Sequence, residues 1–285
     1  MKKIGIITGA SSGMGKEFAL QIAKKYDYDQ LWLVARRKDK LEELTNQINN
    51  EKNFELAKPI VLDLSGKKGV DFFKNLLEEE DRFLKRIDSS LCIGLLINNA
   101  GFGTYGPFDD TDTEREMDMV DLNCTSLTGM CGIALPYLKK DSVIINTASL
   151  AAFMPLGNFA VYGATKAFVL SFSVALAAEL KSKGIKVCAL CPGSVSTEFA
   201  NIASEGVRKE VKGGHDPVKV VSHCLKKAFS GKTIAIWYPK WKFTAFLSRI
   251  VSRNLVAKYT FKYNKRPHIS VNNKKNDEID ISNFN

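Results

Sequence analysis

Ile4-Gly5-Ile6-Ile7-Thr8-Gly9-Ala10-Ser11-Ser12-Gly13-Met14-Gly15 stands at the head of this 285-residue chain. Its first four residues alternate as a β-branched strand, and a helical pattern follows over residues 16–25. Strand, glycine turn and helix form the context in which glycines hold a dinucleotide. Gly9 permits the tight turn, Gly13 lets the backbone approach a pyrophosphate, and Gly15 lets helix and strand pack closely. The helix N-terminus brings amide donors and the positive end of its dipole to the phosphates. The spacing is G-x-x-x-G-x-G rather than G-x-G-x-x-G.

Outward from this unit, apolar runs at 31–34, 59–62, 92–97, 143–146, 185–190 and 233–237 read as strands. Helical patterns fill the intervals, at 40–50, 70–87, 161–181 and 217–229, and Thr111-Asp112-Thr113-Glu114 reads as a capping box opening a further long helix. This alternation implies an α/β fold with a doubly wound parallel sheet. Such sheets bind ligands at the carboxyl ends of their strands. At the second strand end an NAD site would want Asp or Glu; the chain instead has Arg36 and Arg37, which suit the 2′-phosphate of NADP(H), or else are solvated helix-start charges. Asp63 and Leu64 follow the third strand; Asp63 can accept from an adenine amino group or cap a turn ahead of Ser65-Gly66. Asn98-Asn99-Ala100-Gly101 follows the fourth, with small residues for close approach to a ribose and amides able to tie strands together.

The fifth strand leads to Ser149, and thirteen residues later come Tyr162 and Lys166, four apart on one helix face. A nearby ammonium favours phenolate and is expected to lower the Tyr162 pKa. The Ser149 hydroxyl would hold the carbonyl oxygen that exchanges a proton with the tyrosine.

Composition is ordinary for a globular chain. The apolar run after Met1-Lys2-Lys3 is too short for a signal peptide, and no apolar run approaches a membrane span. Six cysteines in this length are no disulfide framework; Cys188 and Cys191 read as core, and the three histidines show no metal-ligand spacing, so no metal is expected. A reducing, cytoplasmic location is expected. The net charge of +10 is lopsided: residues 217–276 hold fourteen Lys/Arg and no Asp or Glu, which leaves residues 1–216 near neutral. That argues against a core built to track nucleic acid.

Together these residues resemble the short-chain dehydrogenase/reductase family. The resemblance covers roughly residues 4–200: T-G-x-x-x-G-x-G at 8–15, N-N-A-G at 98–101, Asn123, the Ser149/Tyr162/Lys166 set, and P-G-x-V-x-T at 192–197. It implies a Rossmann-type fold and hydride transfer between a nicotinamide and a ketone or secondary alcohol. It makes Tyr162 the general acid/base, Lys166 the holder of the nicotinamide ribose, Ser149 the group orienting the substrate oxygen, and Asn123 the support of a water-linked proton relay. It assigns the cofactor to Gly9, Ser11, Ser12, Gly13, Met14, Gly15, Arg36, Arg37, Asp63, Leu64, Asn99, Ala100, Gly101, Tyr162, Lys166, Pro192, Gly193, Val195 and Thr197. Gly94 departs from the pattern, because the family often has Asp there. Dimers or tetramers are what the resemblance implies.

Phe102, Tyr105, Phe108, Phe153, Met154, Leu156, Phe159 and Phe199 are the expected pocket walls and favour a bulky hydrophobic substrate. Relatives acting on hydroxysteroids and on 3-oxoacyl chains are both similar, the former slightly more so. A non-catalytic nucleotide-binding protein on the same fold is the competing class. The catalytic unit is expected over 1–240, a basic extension over 241–269 and a disordered tail over 270–285. In the extension Phe243, Phe246, Leu247, Ile250 and Val251 follow helical spacing beside Lys242, Arg249 and Arg253. Such a helix can cap the pocket, pack against a second subunit, or lie on an anionic membrane.

Overall fold

A computed structural model describes residues 1–209 and 213–271. In chain order the strands are β1 (Lys2–Thr8), β2 (Gln30–Ala35), β3 (Ala57–Val61), β4 (Leu91–Asn98), β5 (Val143–Thr147), β6 (Lys186–Leu190) and β7 (Ile234–Ala235). The helices are α1 (Gly13–Lys25), α2 (Lys38–Lys52), α3 (Gly66–Arg86), α4 (Thr113–Val120), α5 (Leu127–Ala134), α6 (Ala160–Leu180), α7 (Phe199–Ala203), α8 (Pro217–Phe229), α9 (Pro239–Leu247) and α10 (Arg253–Tyr263). Among the described residues the strands form one seven-stranded parallel sheet in the order β3-β2-β1-β4-β5-β6-β7. This is the doubly wound, Rossmann-type α/β fold read from the sequence.

Alternation along the central strands sorts the core into two layers. Ile7, Leu33, Leu95 and Ile145 point to one face, where α1, α2 and α8 cover them. Ile6, Trp32, Leu96 and Ile144 point to the other, beneath α3, α5 and α6. The chain order reverses between β1 and β4, so the carboxyl ends of these strands open a crevice there.

Several local readings change. Asp112, not Thr111, caps α4: its carboxylate accepts from the Glu114 N–H at 3.0 Å, while the Thr111 hydroxyl turns to the Phe108 carbonyl. The long helix behind it is interrupted by a π-helical segment, Asp121–Ser126. The last strand keeps only Ile234 and Ala235, which pair with Ala189 and Leu190. The single amphipathic helix expected over 242–253 is two helices. Ser248 bends its hydroxyl back to the Ala245 carbonyl, and Arg249 and Ile250 bond only three residues back, which ends α9. Residues 160–183 form a helix that is long and apolar enough, by length and composition only, to cross a membrane. Its apolarity serves packing: α6 lies against β6 and carries the Tyr162/Lys166 pair. Of the tail expected to be disordered, residues 272–285 lie outside the described residues.

Candidate active site

A cavity of about 1140 Å³ runs along the carboxyl ends of the strands. It gathers nearly every site residue expected from the sequence, on elements far apart in the chain. Gly15 and Asn123 are behind its wall.

At one end the glycine turn is shaped as a cradle. Gly9 and Gly13 have φ of +65° and +52°, which side chains with a Cβ rarely adopt. A Cβ on Gly9 would meet the Ala100 backbone at 2.9 Å, and one on Gly15 would meet the Gly9 carbonyl at 2.1 Å. Ser12 begins α1 without a side-chain cap, and the first turn holds no acidic residue. The free amides and positive dipole end of α1 therefore face the cavity unneutralised, a fit for a pyrophosphate.

Arg36 and Arg37 also line it. Arg37 donates twice to the Ser11 hydroxyl, both at 3.2 Å, and once to Glu198 at 2.7 Å. Lys40 donates to the other Glu198 oxygen at 2.7 Å. These hydrogen bonds, with the two positive charges behind them, pull the Glu198 carboxyl down to about 2. Sequence reasoning missed Glu198, since nothing local marks it as a partner of residues on α2. Arg36 lies 3.6 Å from Asp63, whose other oxygen accepts from the Ser65 N–H at 3.0 Å. The turn role of Asp63 is thus visible, and with Leu64 it also borders the cavity.

At the other end lie Ser149, Tyr162 and Lys166. Ser149 caps a short 3-10 turn, Leu150–Phe153, and its Oγ accepts from the Ala151 N–H at 3.1 Å. The Tyr162 ring is buried, stacked on Phe159 with centroids 4.1 Å apart. Burial pushes the Tyr162 hydroxyl up to about 12, against smaller lowering effects of Ser149 and Arg266. Lys166, expected to lower it, is not among the groups that do. Lys166 donates to the Thr147 carbonyl at 2.8 Å, and its own burial pushes it down to about 8. Loss of solvation is the largest influence on both residues.

Asn123 sits in the π-helical segment. Its amide donates to the Phe102 carbonyl at 2.9 Å and to the Thr165 hydroxyl at 3.1 Å, and its oxygen accepts from the Phe102 N–H at 3.1 Å. Its side chain locks the 102 loop against α6. Asn98 ties to Asn146 at 2.9 Å, and Asn99 donates back to the Thr8 carbonyl at 3.2 Å, joining β4 to its neighbours.

Six of the eight expected wall residues line the cavity. Phe108 does not, because its 3-10 turn leaves it in solvent; Phe153 turns inward against the core. Further wall residues, not named from the sequence, include Trp241 and Thr244 of α9 and Tyr263 to Arg266 at the end of α10. Trp241 covers Gly193, where a Cβ would lie 2.5 Å from the indole. The α10 segment is fixed to the loop before α6. Gly157 N–H donates to the Thr260 hydroxyl at 2.9 Å, and Asn158 donates to the Phe261 carbonyl at 2.9 Å. Beyond it the Arg266 guanidinium rests 4.4 Å from the Phe159 ring centre and 4.9 Å from that of Tyr105. Part of the extension therefore caps the pocket.

The comparisons agree with this architecture. A short-chain dehydrogenase from Sphingobium yanoikuyae, solved in complex with NADPH, superposes with a TM-score of 0.72 at 28% identity, covering 88% of this chain and 94% of that one. A very-long-chain 3-oxoacyl-CoA reductase of Neurospora crassa is 30% identical across 94% of this chain and 79% of its own length. An 11-beta-hydroxysteroid dehydrogenase-like 3 of Arabidopsis thaliana is 33% identical across 90% and 79%. Residues 3–207 match the model of the short chain dehydrogenases. With that match running from the glycine turn through the Ser149, Tyr162 and Lys166 set to α7, the chain is an oxidoreductase of the short-chain dehydrogenase/reductase family.

Proposed function

We propose that the protein transfers a hydride between NADP(H) and the ketone or secondary-alcohol carbon of a bulky hydrophobic substrate. One observation carries this reading: a single cavity joins the phosphate cradle and Arg36/Arg37 to Ser149, Tyr162 and Lys166. The α1 N-terminus would hold the pyrophosphate, and Arg36 and Arg37 the 2′-phosphate. Lys166 would hold the nicotinamide ribose, and Val195 with Thr197 the carboxamide. Bound there, NADP(H) supplies or accepts the hydride.

The chain's own residues manage the proton. Tyr162, held at about 12, stays protonated across the neutral range and serves as the donor to a carbonyl oxygen during reduction. Ser149 holds that oxygen and the tyrosine in line. Phe102, Tyr105, Phe159 and Phe199 supply an apolar wall that excludes water from the reacting centre.

For the substrate, a hydroxysteroid matches the aromatic wall. Lys265 and Arg266 at the same cavity favour a second reading, a 3-oxoacyl thioester with an anionic carrier end. The reading also includes a cytoplasmic location, which six free thiols suit, and a homodimer or homotetramer, which the exposed Phe168 and Val174 of α6 suit. The test compares NADPH and NADH oxidation against steroid ketones, 3-oxoacyl thioesters and simple aromatic ketones. Turnover with NADPH on one class supports the proposal. Turnover with NADH alone removes the role given to Arg36 and Arg37. Tight NADPH binding with no turnover on any class would favour a non-catalytic nucleotide-binding protein.

A further inference from the structure

Helices α9 and α10 are attached to the protein by small and polar residues and by Trp241, and turn most of their other apolar residues outward. On α9 the buried residue is Ala245, and on α10 it is Thr260. Phe243 and Phe246 of α9, Ile250 in the turn, and Leu255, Tyr259 and Tyr263 of α10 are 59–68% exposed. The spacing of 243, 246 and 250, and of 255, 259 and 263, puts each set along one side of its segment. Exposed apolar surface on this scale marks an interaction site. Between residues 239 and 266 stand eight Lys/Arg and no Asp or Glu. Trp241, Thr244 and Tyr263 of the same helices line the substrate cavity.

We propose that α9 and α10 form a docking face for an anionic lipid bilayer, which sets the cavity mouth against the membrane surface. Aromatic and aliphatic side chains enter the headgroup boundary, and the flanking lysines and arginines meet anionic headgroups. Uniform positive charge selects this occupant, because a second copy of the chain would bring its own eight cations against the first. A hydrophobic substrate dissolved in the bilayer then reaches the cavity without crossing water.

The experiment is flotation of the full chain with phosphatidylcholine vesicles, pure or with about 30% phosphatidylserine. Binding to the anionic vesicles is expected, at least about tenfold weaker to the neutral ones and reduced by salt. The triple variant Phe246→Ser, Ile250→Ser, Leu255→Ser should lose at least about tenfold in binding with unchanged circular dichroism. The pair Lys242→Glu and Lys258→Glu, which leaves the apolar residues intact, should lose binding to anionic vesicles alone. Wild-type protein remaining at the bottom, or either variant floating as wild type does, would overturn the proposal. So would a wild-type dimer that fails to float and becomes a monomer in the triple variant, since the face then covers a second copy. No readout here depends on turnover, so this result and that of the cofactor assay stand apart.

Discussion

The Lys166 Nζ lies 5.7 Å from the centre of the Tyr162 ring, one helical turn away on α6, and donates a hydrogen bond to the Thr147 carbonyl. The two residues share a face and a buried environment, and burial moves them in opposite senses, the tyrosine up and the lysine down. Both shifts favour the neutral form.

The Lys166 shift predicts a pH-dependent cost. Its folded pKa of about 8 lies below the ordinary 10.5. Below pH 8 the folded protein buries a charge; as pH rises from 8 to 10.5 the folded form sheds its proton first, and the cost disappears. The shift corresponds to about 3 kcal/mol, against about 1.5–3 kcal/mol for the charge-assisted bond to Thr147. Lys166→Met should therefore raise the thermal midpoint at pH 7 by up to about 4 °C, and the gain should vanish near pH 10. Calorimetry across that range checks it; a variant less stable than wild type at pH 7 would contradict it. Wild-type kcat/KM should fall as pH passes 8, if the ammonium holds the cofactor ribose.

Tyr162→Phe keeps the ring stacked on Phe159 and removes the hydroxyl. Turnover should fall by about 10²–10⁴-fold, with NADPH affinity and melting temperature close to wild type. Ser149→Ala should cost less turnover, and it also removes the acceptor for the Ala151 N–H. Steady-state kinetics with fluorescence titration of NADPH separate the two effects. Unchanged turnover in Tyr162→Phe would remove the proposed proton donor.

Glu198 competes for the arginine assigned to the 2′-phosphate. Its ion pairs with Arg37 and Lys40 are partly exposed, so each is worth under about 1 kcal/mol. Glu198→Gln should tighten NADPH by about twofold to fivefold and leave NADH unchanged. Equal effects on both cofactors would show that Arg37 does not read the phosphate.

Gly157 is the contact on which α10 rests. A Cβ there would lie 2.5 Å from that of Phe261 and 2.6 Å from its Cα. Gly157→Val should lift α10 from the loop before α6 and carry Arg266 away from Phe159. Limited proteolysis should then cut near residues 248–252 faster, and KM should rise several-fold while the catalytic trio is untouched. A protease pattern like wild type would show that the two segments are held together elsewhere.

The alternation of strands and helices determined the sheet class, and the glycines at 9, 13 and 15, the arginines at 36 and 37 and the 149/162/166 trio determined where the crevice lies and the core of its lining. Each rests on a local property, such as a backbone φ, a periodicity of two or 3.6, or a strand ending in a polar group. What only the tertiary structure decided was the environment. The rise of Tyr162 to about 12 depends on how many chain segments cover it, which no spacing records. The grip of Asn158 on Phe261 spans 103 residues of sequence. The apolar stripe of the extension was legible as a stripe; its outward direction was settled by Thr260 and Ala245, the small residues by which its helices pack.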